Sequence, residues 1–396
     1  MIQRMSVFSK EESYRNIILL LVLALSFSKS IPNIILGVAL LFYAVLLYQK
    51  EIVFPKKHYF YPFGLLFLYL LVKSIFSSSI GNEVNIFSRF LIVIALPIVF
   101  IPVPRNKIIW VFITSVFIAT IIALINTSVY YLKDKTLPFS NGEDVNRILI
   151  IERPYMGFMC LVALILCLYM VKEFPKFKKG LLVLGLFFGI FIFFIAARLS
   201  LITLIGVALI YLLFYSGLSA IKKAIIITVC FLALFTALLS YKNLSNRFFV
   251  ADSFQTMKDY EPRVVIWSCA SEIIRSSDFN LIFGSKSFNW MQEQYVECYA
   301  DSITNESKKA WFLAKKYNSH NQFIDFFLVG GFLGLGLFLF FIFSMMKNAI
   351  GNFYFFSIVV SLTLFFLMEN VLNRQFGCYL TAIVFSITAK YRDEKN

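Results

Sequence analysis

Charged residues are scarce in this sequence. Only 15% of the 396 residues are charged and only two are histidine, whereas 60% are hydrophobic and 47 are phenylalanine. This composition is not that of a soluble domain and is typical of a polytopic membrane protein. The apolar runs recur along the whole length, so we predict one integral domain, 1–396.

Several signatures are missing as well. No Cys-x-x-Cys pair or His-rich ligand set occurs, so we expect no metal site. Gly284-Ser285-Lys286-Ser287 superficially matches a phosphate loop, but Phe279 stands where that motif needs its first glycine, so we expect no nucleotide cofactor. The N-terminal apolar run lacks a small-residue cleavage site, which predicts a retained start-transfer helix.

We predict about twelve transmembrane helices, because apolar runs near the bilayer-spanning length of roughly 17 to 25 residues recur along the chain. The runs are 16–30, 31–49, 59–78, 85–103, 108–131, 154–172, 180–197, 199–217, 221–240, 321–346, 350–368 and 375–390. The first is the weakest, because its apolar core is short and Lys29 and Pro32 crowd its end. The predicted fold class is an all-α, polytopic membrane helix bundle.

The orientation follows from the basic residues, since cytoplasmic loops retain Lys and Arg. Eighteen of them fall at alternate connections: Arg4, Lys10, Arg15, Lys50, Lys56, Lys57, Arg105, Lys107, Lys172, Lys176, Lys178, Lys179, Lys222, Lys223, Lys347, Lys390, Arg392 and Lys395. Both termini are therefore predicted to be cytoplasmic, and segments 132–153 and 241–320 to lie outside. The net charge of +15 mostly reflects this topology, so it does not indicate nucleic-acid binding.

The second outer segment, 241–320, is predicted to carry short helices between the ninth and tenth spans. After Pro262, a favoured first helical residue, one face collects Arg263, Trp267, Ala270 and Ile274. A helix lying along the membrane would turn this stripe toward lipid or the helix bundle. Arg263 would then either reach a phosphate or simply snorkel to the interface.

Two further helices are predicted near 287–299 and 302–317. Cys269 and Cys298 are the two cysteines of the outer segment. An oxidising compartment would permit a disulfide between them, but the sequence leaves open whether it forms.

Cations inside or at the ends of apolar helices are costly and usually have a reason. By the predicted topology all of these lie toward the outer side: Lys73, Arg89, Arg153, Arg198 and Arg374, with Arg263 beside them. Pairing with Glu83, Glu152, Glu369 or lipid headgroups would explain any one of them. Jointly they favour binding of a diphosphate, whose oxygens match the planar donors of arginine. The implied ligand is a lipid with a pyrophosphate head, entering sideways from the membrane.

His320 is the candidate catalytic base. It stands on the predicted outer side, beside Asn321 and at the start of the tenth span, whereas His58 lies among cytoplasmic lysines. Imidazole can accept a proton near neutral pH or orient an attacking hydroxyl. A histidine at a helix start is also commonly a polar cap. Asn321 is a favoured N-cap residue.

Taken in order, several motifs resemble the O-antigen ligase and O-antigen polymerase superfamily of bacterial membrane glycosyltransferases. They are Ala197-Arg198-Leu199-Ser200, Arg263 with Trp267, Phe283-Gly284, Ser319-His320-Asn321-Gln322, and the glycines Gly330, Gly331, Gly334 and Gly336. The motifs span about residues 190–340, and the remainder is similar in hydropathy and helix count.

The resemblance implies a GT-C-like fold in the bacterial inner membrane, with the large loop periplasmic. It implies transfer of a glycan from undecaprenyl diphosphate to an acceptor, without nucleotide sugar or metal. Attack opposite the diphosphate would invert the anomeric centre, and we expect no cofactor. Arg198 and Arg263 would bind the diphosphate and His320 would activate the acceptor hydroxyl. Arg153 and Glu369 correspond by position only, and with Arg89, Lys73, Arg374 and Asn321 they complete the predicted substrate-binding set.

The chain departs from the family pattern in two places. Ala197-Arg198-Leu199 stands where Ser-Arg-Gly is common, and Gly284-Ser285-Lys286 stands where Gly-x-Gly is common. Neither departure removes a charged group, but the second weakens any statement about that turn.

The acceptor separates two enzymatic readings. A ligase would use lipid A–core and a polymerase another carrier-linked glycan, and the motifs favour the ligase slightly. A non-enzymatic transporter of a lipid-linked anion would also need outward cations. A catalytically inactive scaffold is a third possibility, which tolerance of His320 to replacement would favour. A transporter usually has repeats and Gly- or Pro-broken helices. We expect neither, and we expect Gly330-x-x-x-Gly334 to serve close helix packing.

Overall fold

The computed structural model describes residues 2–28, 30–52, 61–135, 145–146, 148–240 and 262–395. Within this part of the chain the regular elements are helices, with one isolated bridge between Asn280 and Gly284 and no strand. The α-helices are α1 (Ile2–Ala24), α2 (Ile31–Tyr48), α3 (Tyr61–Phe76), α4 (Ile80–Phe100), α5 (Arg105–Asp134), α6 (Arg153–Glu173), α7 (Lys178–Phe194), α8 (Arg198–Ile210), α9 (Ala220–Ser240), α10 (Pro262–Arg275), α11 (Phe288–Ser302), α12 (Glu306–Lys315), α13 (Gln322–Ala349), α14 (Phe353–Met368) and α15 (Gln375–Lys395). The all-helical fold class is confirmed.

Among the described residues, seven helical segments are long and apolar enough to cross a membrane. They comprise α2, α4, α5, α6 and α13, together with α7 and α8 lengthened by adjoining short helical turns. Helices α3, α14 and the apolar part of α15 are shorter. Each predicted run overlaps one of the helices, so the multi-pass helical character is confirmed, whereas the number of twelve spans and their orientation stay predictions.

The chain divides into two compact units. The first unit comprises Met1–Phe112 and Glu261–Asn396, and the second comprises Ile113–Tyr260. The single integral domain stays a prediction. Of the two predicted outer segments, 136–144, 147 and 241–261 lie outside the described residues.

Phenylalanine rings fill the centre of the first unit. On α13, the ring centroids of Phe326 and Phe338 lie 4.7 Å apart. Phe90 of α4 is 6.0 Å from Phe326, and Phe366 of α14 is 5.3 Å from Phe338. All four side chains are buried. Such ring pairs add about 0.5–1.5 kcal/mol each beyond their area burial, so α13 is held to α4 before its break and to α14 after it.

Helix α13 is broken at Gly331, where φ is 61° and ψ is −158°. The segment 280–285 fills the break. Three backbone hydrogen bonds join them: Phe332 N to Leu281 O (2.9 Å), Leu333 N to Ile282 O (3.2 Å) and Ser285 N to Leu328 O (2.8 Å). The amides and one carbonyl that a broken helix leaves without helical partners are thereby satisfied, as a membrane environment requires. The expectation that no helix would be glycine-broken is therefore wrong.

Two glycines make this approach possible. Both have positive φ, 78° at Gly284 and 61° at Gly331. A Cβ on Gly331 would lie 2.4 Å from the carbonyl carbon and oxygen of Ile282, and one on Gly284 would lie 2.5 Å from the Gly331 nitrogen. No side chain fits at either position, because the obstructing atoms are backbone.

Helix α3 satisfies the remaining carbonyls at the break. Lys73 Nζ donates hydrogen bonds to the carbonyls of Phe283 and Val329, and Tyr69 Oη donates to the carbonyl of Gly330 at 2.9 Å. Lys73 is one of the predicted substrate-binding residues. In the structure its ammonium group contacts backbone carbonyls at the helix break.

In the second unit, α6 packs against α7 and α8. A Cβ on Gly157 of α6 would lie 2.6 Å from Ala197 Cβ and 2.8 Å from Ser200 Oγ. Because Gly157 is one turn after Arg153, the first turns of α6 and α8 lie side by side. These two helices begin with Arg153 and Arg198, so the backbones of the two arginines lie at the same end of the helix pair.

Helices α10, α11 and α12 lie in the described part of segment 241–320, close to where short helices are predicted. A disulfide joins Cys269 of α10 to Cys298 of α11, with the Cα atoms 5.8 Å apart. It settles the pairing that the sequence left open. The buried carboxylate of Glu83, on α4, accepts a hydrogen bond from the Phe288 amide at 2.6 Å and so ties α11 to the helix bundle.

Candidate functional site

His320 lies in the connection between α12 and α13, at a left-handed backbone position with φ 46°. The next residue, Asn321, caps α13. Its Oδ1 accepts hydrogen bonds from the amides of Phe323 at 2.9 Å and Ile324 at 3.1 Å. The predicted N-cap is confirmed, and it holds the His320 backbone against the rigid first turn of α13.

The carboxylate of Glu369, just after α14, joins the imidazole to a guanidinium. Its Oε2 lies 3.2 Å from His320 Nδ1, and its Oε1 lies 3.3 Å from the terminal nitrogen Nη2 of Arg263. Only 8% of Glu369 is exposed. These three predicted site residues are therefore brought together, although 106 residues separate Arg263 from Glu369.

Burial by itself raises the pKa of Glu369, because it disfavours the charged form. The hydrogen bond and positive charge of His320, with the charges of Arg263 and Arg374, outweigh burial and hold the pKa of this carboxyl below its ordinary 4.5. Glu369 is therefore ionised at neutral pH.

An ionised carboxylate only accepts hydrogen bonds. The contact with Glu369 therefore requires a proton on His320 Nδ1. In the neutral imidazole, this tautomer has its lone pair on Nε2. Nε2 is the nitrogen that can accept a proton from a substrate hydroxyl. The resulting imidazolium would be stabilised by the same carboxylate.

The Glu369 carboxylate predicts a pH-dependent contribution to stability. Since its folded-state pKa is below its unfolded value, its contribution is present above the unfolded pKa of about 4.5 and is lost as the pH falls through the folded pKa. We expect Glu369→Gln to lower the melting temperature at pH 7, with the difference from wild type shrinking below pH 4.5. Thermal unfolding in detergent from pH 3 to 7 measures it.

Glu297→Gln is the matched control, because Glu297 is exposed on α11. It should change the melting temperature little at any pH. A constant difference between wild type and Glu369→Gln over the whole range would contradict the electrostatic role of Glu369.

One face of α10 contacts this centre. Arg263 Nη2 also donates to the carbonyl of Met368 at 3.1 Å, and Trp267 Nε1 donates to the carbonyl of Ser319 at 3.0 Å. The predicted face of α10 was expected to meet either lipid or the helix bundle. Arg263 and Trp267 contact the protein. The residues buried on α10 are Ile266, Cys269, Ala270 and Ile273, of which the predicted stripe contained only Ala270.

A buried polar network, which the sequence did not indicate, supports the segment from the side. Ser319 Oγ lies 3.2 Å from Asp325 Oδ1 and 3.0 Å from Asn370 Oδ1. Asn373 Nδ2 donates to Asp325 Oδ2 at 2.8 Å. Ser319 and Asp325 have no exposed surface. The network links the residue before His320 to the turn after Glu369. The sequence does contain one signal for this network, which is the carboxylate of Asp325 one turn into the apolar helix α13.

Two more predicted cations lie near the turn 371–374. The charge of Arg374 acts on Glu369, and Arg89 of α4 donates a hydrogen bond to the carbonyl of Asn373. The first unit thus gathers His320, Arg263, Glu369, Asn321 and Arg374, with Arg89 adjoining. Lys73 contacts the α13 break instead, and Arg153 and Arg198 belong to the second unit.

Among the described residues, no group of three or more His, Cys, Asp or Glu side chains could hold a metal ion. No protein-family model and no curated protein matches this chain. The likeness to the O-antigen ligase superfamily accordingly rests on the ordered motifs, and the activity is a proposal.

Proposed function

We propose that this protein is an O-antigen ligase-like glycosyltransferase of the bacterial inner membrane. It transfers a glycan from undecaprenyl diphosphate to lipid A–core or a related acceptor at the periplasmic face. The observation that carries this proposal is the carboxylate of Glu369, which contacts the imidazole of His320 and the guanidinium of Arg263 at once. A base and a phosphate-binding cation within reach of each other are what such a transfer needs.

The chemistry assigns one role to each group. The acceptor hydroxyl oxygen attacks the anomeric carbon, and His320 Nε2 takes the hydroxyl proton. The bond between the anomeric carbon and the phosphate oxygen breaks, and the diphosphate leaves with the electron pair. Arg263 stabilises the charge that builds on the diphosphate. Attack opposite the leaving group inverts the anomeric centre, and the step needs no metal.

A guanidinium has five N–H donors, so it can contact Glu369 and a phosphate at the same time. Arg374 and Arg89 add positive charge near the 369–374 turn, where the diphosphate would lie. The roles of Arg198 and Arg153 in substrate binding stay predictions, the first from the motif and the second from the topology. Replacing each arginine separately would test its role.

The test is transfer by the purified protein from carrier-linked glycan to lipid A–core. We expect Arg263→Ala to lower kcat/KM by roughly 10²- to 10³-fold, the effect of removing one donor that stabilises transition-state charge. Arg275→Ala is the matched control, because Arg275 is exposed at the other end of α10. Equal activity of Arg263→Ala and wild type would sink the proposal.

The same assay separates the two acceptors. A product ladder formed from carrier-linked glycan in the absence of lipid A–core would identify a polymerase. Transfer that requires lipid A–core would identify a ligase.

The break at Gly331 favours the transporter reading, since broken helices mark many transport sites. The break is, however, filled by segment 280–285 and by donors from Lys73 and Tyr69. A transporter would move carrier-linked glycan across proteoliposomes without forming a new glycosidic bond, which a scrambling assay on the same preparation detects.

A further inference from the structure

Three rings form a row that ends at the proposed base. The ring centroids of Trp311 and Tyr317 lie 5.0 Å apart, and those of Tyr317 and His320 lie 5.4 Å apart. Trp311 is 39% exposed, and the side chain of His320 is 19% exposed. The row therefore runs from an open surface of α12 to the imidazole.

The turn that carries this row is anchored to α11. Lys316 ends α12 in the left-handed conformation, with φ 48°. Gln292 Nε2 donates to the carbonyls of Lys316 at 3.1 Å and Tyr317 at 3.3 Å, and Tyr299 Oη donates to the Tyr317 carbonyl at 3.2 Å. The backbone that carries Tyr317 is thereby fixed before any ligand arrives, which lowers the entropy cost of binding.

A buried ring supports Trp311, which is exposed, and Tyr317, which is half-buried. Phe312 has no exposed surface and lies 5.4 Å from Trp311, 5.3 Å from Tyr317 and 5.1 Å from Tyr299. Phe312 and Tyr299 thus supply the hydrophobic core of this segment. A single exposed tryptophan is common on protein surfaces. Trp311 differs from such a residue because its ring is linked to His320 through the ring of Tyr317.

An aromatic ring carries negative charge on its faces and therefore attracts the weakly positive C–H groups of another molecule. A sugar ring presents C–H groups on its faces and hydroxyls on its rim, so it can stack on such a ring while its rim stays hydrated. We propose that Trp311 and Tyr317 form a platform for the sugars of the acceptor glycan next to the hydroxyl that His320 activates. This inference rests on the proposed function, because His320 serves the acceptor there.

Lys315 indicates a charge preference on the platform. It lies four residues after Trp311, on the same face of α12, and is exposed. A glycan with phosphate or carboxylate groups would gain from its charge. The ligand class is therefore an oligosaccharide, with acidic substituents preferred.

Kinetics with both substrates varied test the platform. We expect Trp311→Ala to raise the KM for the acceptor by up to roughly tenfold, with kcat and the KM for the donor unchanged, since one ring contact contributes at most about 1.4 kcal/mol. Trp311→Phe should recover most of the loss. Trp290→Ala is the matched control. Trp290 is a tryptophan of the same segment, 241–320, but its ring lies near Lys286 and is not part of the row from Trp311 to His320.

A binding measurement separates failure of the platform from failure of the proposed function. Core oligosaccharides, freed from lipopolysaccharide by mild acid, serve as the probe in saturation-transfer NMR. Binding by wild type and Trp290→Ala but not by Trp311→Ala supports the platform even if no transfer occurs, in which case the proposed activity fails by itself. Absence of binding to the wild type overturns the platform. Unchanged acceptor KM in Trp311→Ala, or a change in the donor KM alone, overturns it too.

Discussion

Replacing His320 by asparagine is expected to lower kcat for glycan transfer by roughly 10²- to 10⁴-fold, the usual contribution of a general base. Asparagine is chosen because it tolerates the left-handed conformation that His320 adopts at φ 46°. The side chain keeps polar atoms but has no group that accepts a proton near neutral pH. Initial rates with saturating donor and acceptor measure the effect.

The matched control for this variant is His58→Asn, since His58 is the other histidine of the chain. It should leave the transfer rate unchanged. His320→Asn should also keep the melting temperature of the wild type within about 2 °C, because roughly 1 kcal/mol shifts it by about 1–2 °C in a chain of 396 residues. A folded His320→Asn protein with the turnover of wild type would exclude the catalytic role.

Glu369→Gln separates orientation of the base from basicity. The amide can accept the Nδ1 hydrogen bond but carries no charge, so it no longer stabilises the imidazolium. The transfer rate of this variant should therefore fall less than that of His320→Asn. Such an order of rates follows from the 3.2 Å contact of Glu369 with His320.

The membrane character and the helices could be predicted from the sequence because they are local properties. An apolar run near spanning length predicts a helix whatever lies elsewhere in the chain. The capping by Asn321 is local as well, since its side chain reaches amides only two and three residues ahead. Helix α1 shows the limit, because its polar first half belongs to the same helix as the apolar run that was predicted alone.

The pairing within the site could not be predicted in this way. His320 and Glu369 are 49 residues apart, and the meeting of their side chains depends on how α13 and α14 pack. The predicted topology places His320 and Glu369 on the same side of the membrane, but it does not predict that their side chains meet. The predicted cation cluster illustrates the same limit. Lys73 satisfies backbone carbonyls at the α13 break, whereas Arg263 contacts Glu369.

Asp325 lies outside the predicted site for a different reason. An acid in an apolar helix is as costly as a lysine or arginine, but it adds no positive charge to the predicted cation cluster. Its partners Ser319 and Asn373 are uncharged, so no search for charge pairs would have found them.

The break in α13 required knowledge of a partner segment. Four glycines between 330 and 336 predicted close packing of helices, and Gly330 does approach α3, since a Cβ there would lie 3.2 Å from Tyr69 Cε1. Which glycine has positive φ depends on segment 280–285, which is about 50 residues away along the chain. No local pattern distinguishes Gly331 from its neighbours.

Gly331→Ala is therefore expected to destabilise the protein by more than about 3 kcal/mol, through strain at a special backbone position. Positive φ costs a residue with a Cβ roughly 1–2 kcal/mol. The new methyl group would also lie 2.4 Å from the backbone of Ile282, which no side-chain rotation can relieve. Thermal and denaturant unfolding in detergent measure the loss.

Gly336→Ala is the matched control in the same helix, because a Cβ there meets no atom within 4 Å. It should be neutral or stabilising by up to about 1 kcal/mol, as alanine restricts the unfolded chain and favours helix. Opposite signs for two identical substitutions five residues apart would follow from the inserted segment 280–285. If Gly331→Ala matched Gly336→Ala in stability, α13 would be continuous and the contacts of Lys73 with the broken helix would not exist. Because the Ser285 amide donates to the Leu328 carbonyl at this break, Gly331→Ala should also loosen segment 280–285 from α13.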